Sequence, residues 1–134
     1  MMSISTELIE TALGQHLATM ASVPTIAWQN KNLDPARPFL VADHIPVSRT
    51  DPTIDGYGET VIGQYRVTVV IDGDGFTTAA NALADNIMVR FKYMTLINFA
   101  DGDILITKPP EVLPGYRDGP DWRVPVRIDY GVQT

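Results

Sequence analysis

The sequence predicts an α+β domain with a mainly antiparallel sheet of about five strands and two helices packed on one face. Two segments carry apolar residues at helical spacing, and two others alternate apolar with polar residues as half-buried strands do. The predicted order is α-β-β-β-α-β-β. With 134 residues, 45% of them hydrophobic, the chain has the size and composition of one domain, so we expect residues 1–134 to fold as a single unit.

The first helix is predicted over residues 5–21. Its apolar stripe has the spacing of one helical face and consists of Ile9, Leu13, Leu17 and Met20. Ser3 or Ser5 can cap its start, and Val23-Pro24 ends it because the residue before a proline avoids helical geometry. Short strands are then predicted at 26–30 and 39–47, with Pro46 marking a strand end or an edge position.

The clearest strand runs from Thr60 to Ile71. Its apolar face is formed by alternate residues, namely Tyr65, Val67, Val69 and Ile71, and its polar face by Gln64, Arg66 and Thr68. A second helix is predicted over 77–94, a connection over 96–103 and a short strand over 104–107. The final strand spans 122–130, where Pro125 indicates an edge or a bulge. Polar loops rich in Gly and Pro are predicted at 48–58 and 111–120.

Catalytic and metal-binding chemistry finds little support in the sequence. The chain has no cysteine, which excludes disulfides, a thiolate zinc site and a Cys nucleophile. His16 and His44 each stand alone, so we interpret both as surface or hydrogen-bonded structural residues. The run Asp72-Gly73-Asp74-Gly75 resembles the start of a calcium loop, but Leu83 occupies the position of the bidentate Glu. We therefore expect a tight turn there, no cofactor and no enzyme.

The charge distribution argues against nucleic-acid binding. The formal net charge is −6, and the ten basic residues are scattered, whereas phosphate neutralisation needs clustered Lys and Arg. An acidic surface keeps a protein soluble, and it would repel DNA passing nearby. No segment approaches the ~20 apolar residues of a membrane span, and the beginning of the chain lacks the features of a secretory signal, so no membrane partner is expected.

A diffuse pattern over most of the chain resembles the tail terminator, or tail-completion, proteins of long-tailed bacteriophages and gene-transfer particles. The residues that carry the resemblance are the opening helix with Ile9, Leu13 and Leu17, the segments Gly56-Tyr57-Gly58-Glu59-Thr60, Gly63-Gln64-Tyr65-Arg66-Val67-Thr68-Val69 and Gly73-Asp74-Gly75, the helix with Ala79-Ala80, Leu83-Ala84-Asp85-Asn86-Ile87 and Phe91, and the ending Trp122 to Tyr130.

The resemblance implies a structural virion protein assembled in the bacterial host cytoplasm and located in the virion tail. It implies a ring, expected to be hexameric, that caps the tail tube, stops its polymerisation and offers a docking face to the head–neck connector. The implied partners are other copies of the chain, the tail tube protein and the connector, with DNA only as cargo in the lumen. No cofactor is implied.

A closed ring needs two different contact surfaces on each subunit. The candidates are the strand edges and the two long loops, whose aromatic residues are typical of interfaces and whose acidic residues would suit a lumen that DNA slides through. The candidate contact or lumen residues are Arg49, Asp51, Asp55, Tyr57, Glu111, Tyr116, Arg117, Asp118 and Trp122. Two alternatives stay open: a neck or head-completion connector, and a small enzyme or ligand-binding domain with a pocket joining His44 to two aspartates.

Overall fold

Two helices and eight strands form the part of the chain that the computed structural model describes, residues 4–20, 24–28, 38–50, 60–73, 77–100 and 102–133. In chain order they are α1 (Thr6–Ala18), β1 (Thr25–Trp28), β2 (Phe39–Thr50), β3 (Thr60–Asp72), α2 (Thr77–Arg90), β4 (Leu96–Phe99), β5 (Gly102–Ile106), β6 (Glu111–Val112), β7 (Tyr116–Asp118) and β8 (Asp121–Gln133). The predicted α+β class is confirmed, as is the order of elements up to α2.

The strands form one sheet in the order β1-β2-β3-β8-β5-β4, and β6 and β7 also pair with β8. β1 runs parallel to β2, whereas the other pairs are antiparallel. The prediction of about five strands in a mainly antiparallel sheet is therefore wrong, because the sheet has eight strands and is mixed. β6 and β7 have two and three residues, too few to produce a periodic pattern.

The core lies between the two helices and one face of the sheet. In α1, the predicted stripe residues Ile9, Leu13 and Leu17 are fully buried, and in β3 the predicted apolar face from Tyr65 to Ile71 is at most 6% exposed. α1 contacts both β2 and β4, which are far apart in the sheet order, so the sheet curls around this helix. Each helix buries its apolar stripe against this concave face, as the sequence predicts.

The opposite face of the sheet is only partly polar. Ala27, Phe39 and Val70 form a second, small buried cluster there, whereas the sequence predicts a wet face throughout. Phe39 lies directly across from Val70 in the β2–β3 ladder, which explains the cluster, because opposed apolar side chains on one face shield each other from water. Further along the same face, Arg66 lies across from Arg127 of β8.

Two prolines lie inside long strands where the hydrogen-bond ladder is interrupted. β2 continues past Pro46 to Thr50, with a register shift between Pro46 and Ser48. Pro125 is in β8, and its carbonyl accepts a hydrogen bond of 2.9 Å from the Leu113 amide in the gap between β6 and β7. Because the missing Pro N–H falls in that gap, the ladder loses no regular bond there. The strand end predicted at Pro46 is wrong, because β2 continues through a register shift there. The edge or bulge predicted at Pro125 is also wrong, because β8 pairs on both sides and its register with β3 is unbroken.

Both helices end earlier than the sequence predicts. α1 begins after Ser5, whose Oγ accepts a hydrogen bond of 3.2 Å from the Leu8 amide, and it ends at Ala18. α2 ends at Arg90, and Met94 then adopts a left-handed conformation with φ 72°. The predicted connection over 96–103 is wrong, because it contains β4 and the start of β5. β4 has four residues, of which only Ile97 is buried, so its sequence has no strand alternation to recognise.

Candidate interface surfaces

Arg49 acts within the subunit. Its guanidinium donates to the Ile4 carbonyl at 2.7 Å and to the Thr6 hydroxyl at 3.1 Å. These bonds fasten the start of α1 to the end of β2. Three other predicted contact residues, Asp51, Asp55 and Tyr57, lie outside the described residues.

The acidic residues predicted in the 111–120 segment are ion-paired. Glu111 in β6 contacts Arg127 at 2.7 Å and Lys108 at 3.7 Å, and Asp118 in β7 contacts Arg123 at 3.0 Å. All these groups lie at the surface, where such pairs contribute little to stability. These pairs reduce the local negative charge, because a cation lies next to each carboxylate.

The aromatic and basic residues of the same segment divide between core and surface. Tyr116 is 48% exposed, whereas Trp122 is partly buried against the core. Arg117 donates to the Gly73 carbonyl at 3.1 Å, and the Gly73 amide donates to the Pro120 carbonyl at 2.8 Å. A Cβ atom at Gly73 would stand 2.7 Å from the Pro120 carbonyl oxygen. The glycine at the predicted turn therefore permits the end of β3 to dock against the β7–β8 turn.

The two histidines are hydrogen-bonded structural residues, as the sequence predicts. His44 is buried, and its Nε2 lies 2.5 Å from the Tyr130 hydroxyl. His16 Nε2 lies 2.8 Å from the Arg90 carbonyl. Burial lowers the pKa of both imidazoles, against an opposing effect of the Glu10 charge on His44, and burial raises the pKa of Tyr130 to about 12. Within the described residues no group of three or more His, Asp or Glu is placed to hold a metal ion.

One exposed apolar surface surrounds the end of α2. We call it the α2 patch; it consists of Asp85, Met88, Val89, Lys92, Tyr93, Pro109 and Pro110, of which Val89 is 74% and Tyr93 49% exposed. Met94 (60%) and Leu96 (63%) are exposed just after it in the chain. Val89 and Tyr93 border a shallow cavity whose other walls include Met88, Pro109 and Pro110. No sequence prediction covers this surface, although Val89 and Tyr93 lie off the apolar stripe of the predicted helix. A cluster of this kind marks a contact site more often than scattered apolar residues do.

A second apolar surface is an open groove between α1 and the edge strand β1. We call it the α1/β1 groove; its volume is about 320 Å³, and it is lined by Glu10, Thr11, Gly14, Gln15, Ala18 and Trp28. The Trp28 ring is 39% exposed and packs over Gly14, where a Cβ atom would stand 3.0 Å from it. Because Gly14 has no side chain, the ring lies against the helix and forms one wall of the groove.

These surfaces define a class of protein. Within the described residues, two edge strands and two different exposed apolar surfaces are features suited to contacts with other protein chains. Comparison with known proteins gives the family. A family model described as phage tail terminator protein matches residues 8–130. The chain belongs to this family, which confirms the resemblance read from the sequence and makes it a structural component of the virion tail.

Solved structures share the fold. One superposes with a TM-score of 0.78 at 22% identity, covering 98% of this chain and 98% of the other. A chain from the virion of the native gene transfer agent (GTA) particle superposes with a TM-score of 0.67 at 14% identity, covering 97% of this chain and all of that one. No curated protein matches the sequence. Neither helix of the described residues combines the length and apolar character that crossing a bilayer requires.

Proposed function

We propose that this protein caps the tail tube as a ring, stops tube polymerisation and provides the docking face for the head–neck connector. The observation that carries the proposal is the match of residues 8–130 to the tail terminator family. The proposed partners are further copies of the chain, with a hexamer as the expected ring, the tail tube protein on one side and the connector on the other.

The surface features support this role. A ring formed by head-to-tail contacts requires that each subunit present two different surfaces, and the α2 patch and the α1/β1 groove are two such surfaces. The edge strands β1 and β4 supply further backbone groups that can pair with a neighbouring chain. A capping subunit also has to contact the tube, and the exposed Tyr116 on β7 is a candidate for that contact.

We further propose that the ring encloses a passage through which DNA moves as cargo. The net charge of −6 supports a lining that does not bind phosphates. Asp51 and Asp55 are the proposed lining residues. Glu111 and Asp118 contribute less, because each is paired with an arginine.

Tube polymerisation in the test tube checks the capping role. Purified tail tube protein is allowed to polymerise with and without this chain, and the tubes are measured by electron microscopy. Capping predicts shorter tubes, with the chain labelled at one end only. Tubes of unchanged length, or label distributed along their whole length, would contradict it. A heat-unfolded sample of the chain is the control.

A further inference from the structure

We propose that the α2 patch of one subunit seats in the α1/β1 groove of the next copy of the chain, and that this contact, repeated, closes the ring. The inference rests on the proposed function as a ring subunit and adds the two surfaces that join one subunit to the next. Its evidence is the position, the shape and the charge of these surfaces.

The two surfaces border different parts of the fold and share no lining residue. The groove lies between α1 and β1, the first strand in the sheet order. The patch lies on the last turns of α2, beside Pro109 and Pro110 in the connection from β5 to β6. The patch and the groove are therefore separate surfaces of one subunit.

This arrangement sets the kind of contact. Because the patch and the groove are separate surfaces of one subunit, seating one in the other takes two copies of the chain. Two copies in the same relative orientation can join them, and the contact leaves one free patch and one free groove for further copies. Such heterologous contacts close into a ring when the rotation between neighbours permits it.

The two surfaces also match in chemistry. The α2 patch projects apolar side chains, with Val89 three-quarters exposed, and the groove has Trp28 as an apolar wall that a neighbour can cover. Aromatic residues that become buried at the centre of a contact contribute much of its binding energy. Burying Val89 and Trp28 together would remove from water the most exposed of these apolar side chains, Val89, and one of the largest, Trp28.

Charge complementarity favours a second copy as the occupant. Lys92 at the patch is the one exposed cation in the described part of the chain that has neither an ion pair nor a hydrogen bond there. Glu10 lines the groove and Glu7 lies one helical turn before it, and both are exposed without an ion pair among the described residues. Asp85 lines the same cavity from within α2, whereas Lys92 lies just after the helix ends. Opposite charges at the Lys92 end would set the register of the contact.

Chemical cross-linking on assembled tails tests the contact directly, because the natural chain has no cysteine. Tails are purified from particles that carry Val89→Cys and Gln15→Cys in the same chain, and a short bis-maleimide is added. The proposal predicts a ladder of covalent multimers from the double variant and monomers from each single variant. The matched control pairs Gln15→Cys with Val47→Cys, a position 59% exposed on β2 outside both surfaces, and predicts no ladder.

Each other outcome overturns the proposal. A ladder from the Val47 control, or no ladder from the Val89 pair, would place the contact elsewhere. Dimers from Val89→Cys alone would indicate a two-fold contact instead of a head-to-tail one. Tail length in particles that lack the chain is a separate measurement, and it does not depend on which surfaces join the subunits. Failure of this contact is therefore distinguishable from failure of the capping role.

A charge exchange provides an independent test. Lys92→Glu places like charges together in the proposed contact, and we expect it to weaken subunit association by about two- to fivefold, the effect of a surface ion pair. Glu10→Lys alone is expected to act similarly, and the double exchange is expected to restore association and normal tail length. Additive losses in the double variant would contradict the pairing.

Discussion

Gly63 lies directly across from Tyr130 in the β3–β8 ladder, on the face that carries the core. A methyl group at Gly63 would collide with the Tyr130 hydroxyl and stand 2.6 Å from its Cζ carbon. Because that ring is buried and hydrogen-bonded to His44, it has little freedom to move aside. The absence of a side chain at Gly63 is therefore a condition for the His44–Tyr130 pair.

We expect Gly63→Ala to lower the free energy of unfolding by about 1–3 kcal/mol, the effect of overpacking a core. Urea denaturation followed by circular dichroism measures it. The matched control is Gly131→Ala in β8, where the new methyl group would meet the Thr107 Cγ2 atom at 3.2 Å and has more room. Equal losses in the two variants would contradict the explanation.

The two histidines predict a pH dependence of stability. Burial lowers the pKa of His44 and His16 in the folded protein, whereas in the unfolded chain their pKa is about 6.5. The unfolded chain therefore binds more protons below that pH, and stability is lost as the pH falls through it. We expect a lower free energy of unfolding at pH 5.5 than at pH 7.5, and a smaller difference in His44→Gln. An unchanged difference in that variant would show that His44 does not contribute.

Arg90 links the two helices at the scale of elements. Its Nε donates to the His16 carbonyl at 2.8 Å, and its Nη2 donates to the Thr19 hydroxyl just after α1. The carbonyls at a helix end lack partners within the helix, so a cation there satisfies one of them and also suits the helix dipole. The ends of α1 and α2 are thereby held together beside the His16–Phe91 ring contact, whose centroids lie 4.9 Å apart.

We expect Arg90→Ala to cost about 1–2 kcal/mol of stability, a typical value for lost hydrogen bonds to a charged group that is partly exposed. The measurement is again urea denaturation. Lys92→Ala is the control, because Lys92 is exposed nearby and makes no such bond in the described structure, and it is expected to have little effect. A loss as large in Lys92→Ala would show that the loss of a positive charge, and not of the Arg90 bonds, is responsible.

Sequence patterns predict the elements with long periodic faces and miss the short ones. The buried stripes of α1 and β3 are both evident from spacing alone, since thirteen residues give several repeats of each period. β4, β6 and β7 have two to four residues each and give none. The parallel pairing of β1 with β2 depends on the tertiary arrangement and has no local signal.

The candidate interface surfaces were less predictable than the fold. The sequence analysis favoured the long loops, yet Arg49 and Arg117 make bonds within the subunit, and Glu111 and Asp118 are ion-paired. The α1/β1 groove requires Trp28 of β1 to pack on Gly14 of α1. A contact between two different elements leaves no signal in the periodicity of either one. The α2 patch depends on where the helix ends, and helix ends are the least certain part of any prediction from sequence.

The whole molecule is an acidic domain whose curled sheet packs its concave face against two helices. Two different exposed apolar surfaces, the α1/β1 groove and the α2 patch, lie beside these helices. The family match places this domain in the phage tail, and the capping role is the central proposal. The proposed role predicts control of tail length, because a tube that is not capped would continue to grow.

The most direct test is the distribution of tail lengths in particles made without this chain, measured by electron microscopy beside particles in which the chain is supplied again. Capping predicts tails that are longer than normal and variable in length, and it predicts uniform tails when the chain is restored. Tails of normal length that carry no heads would contradict it and would instead indicate a connector at the neck.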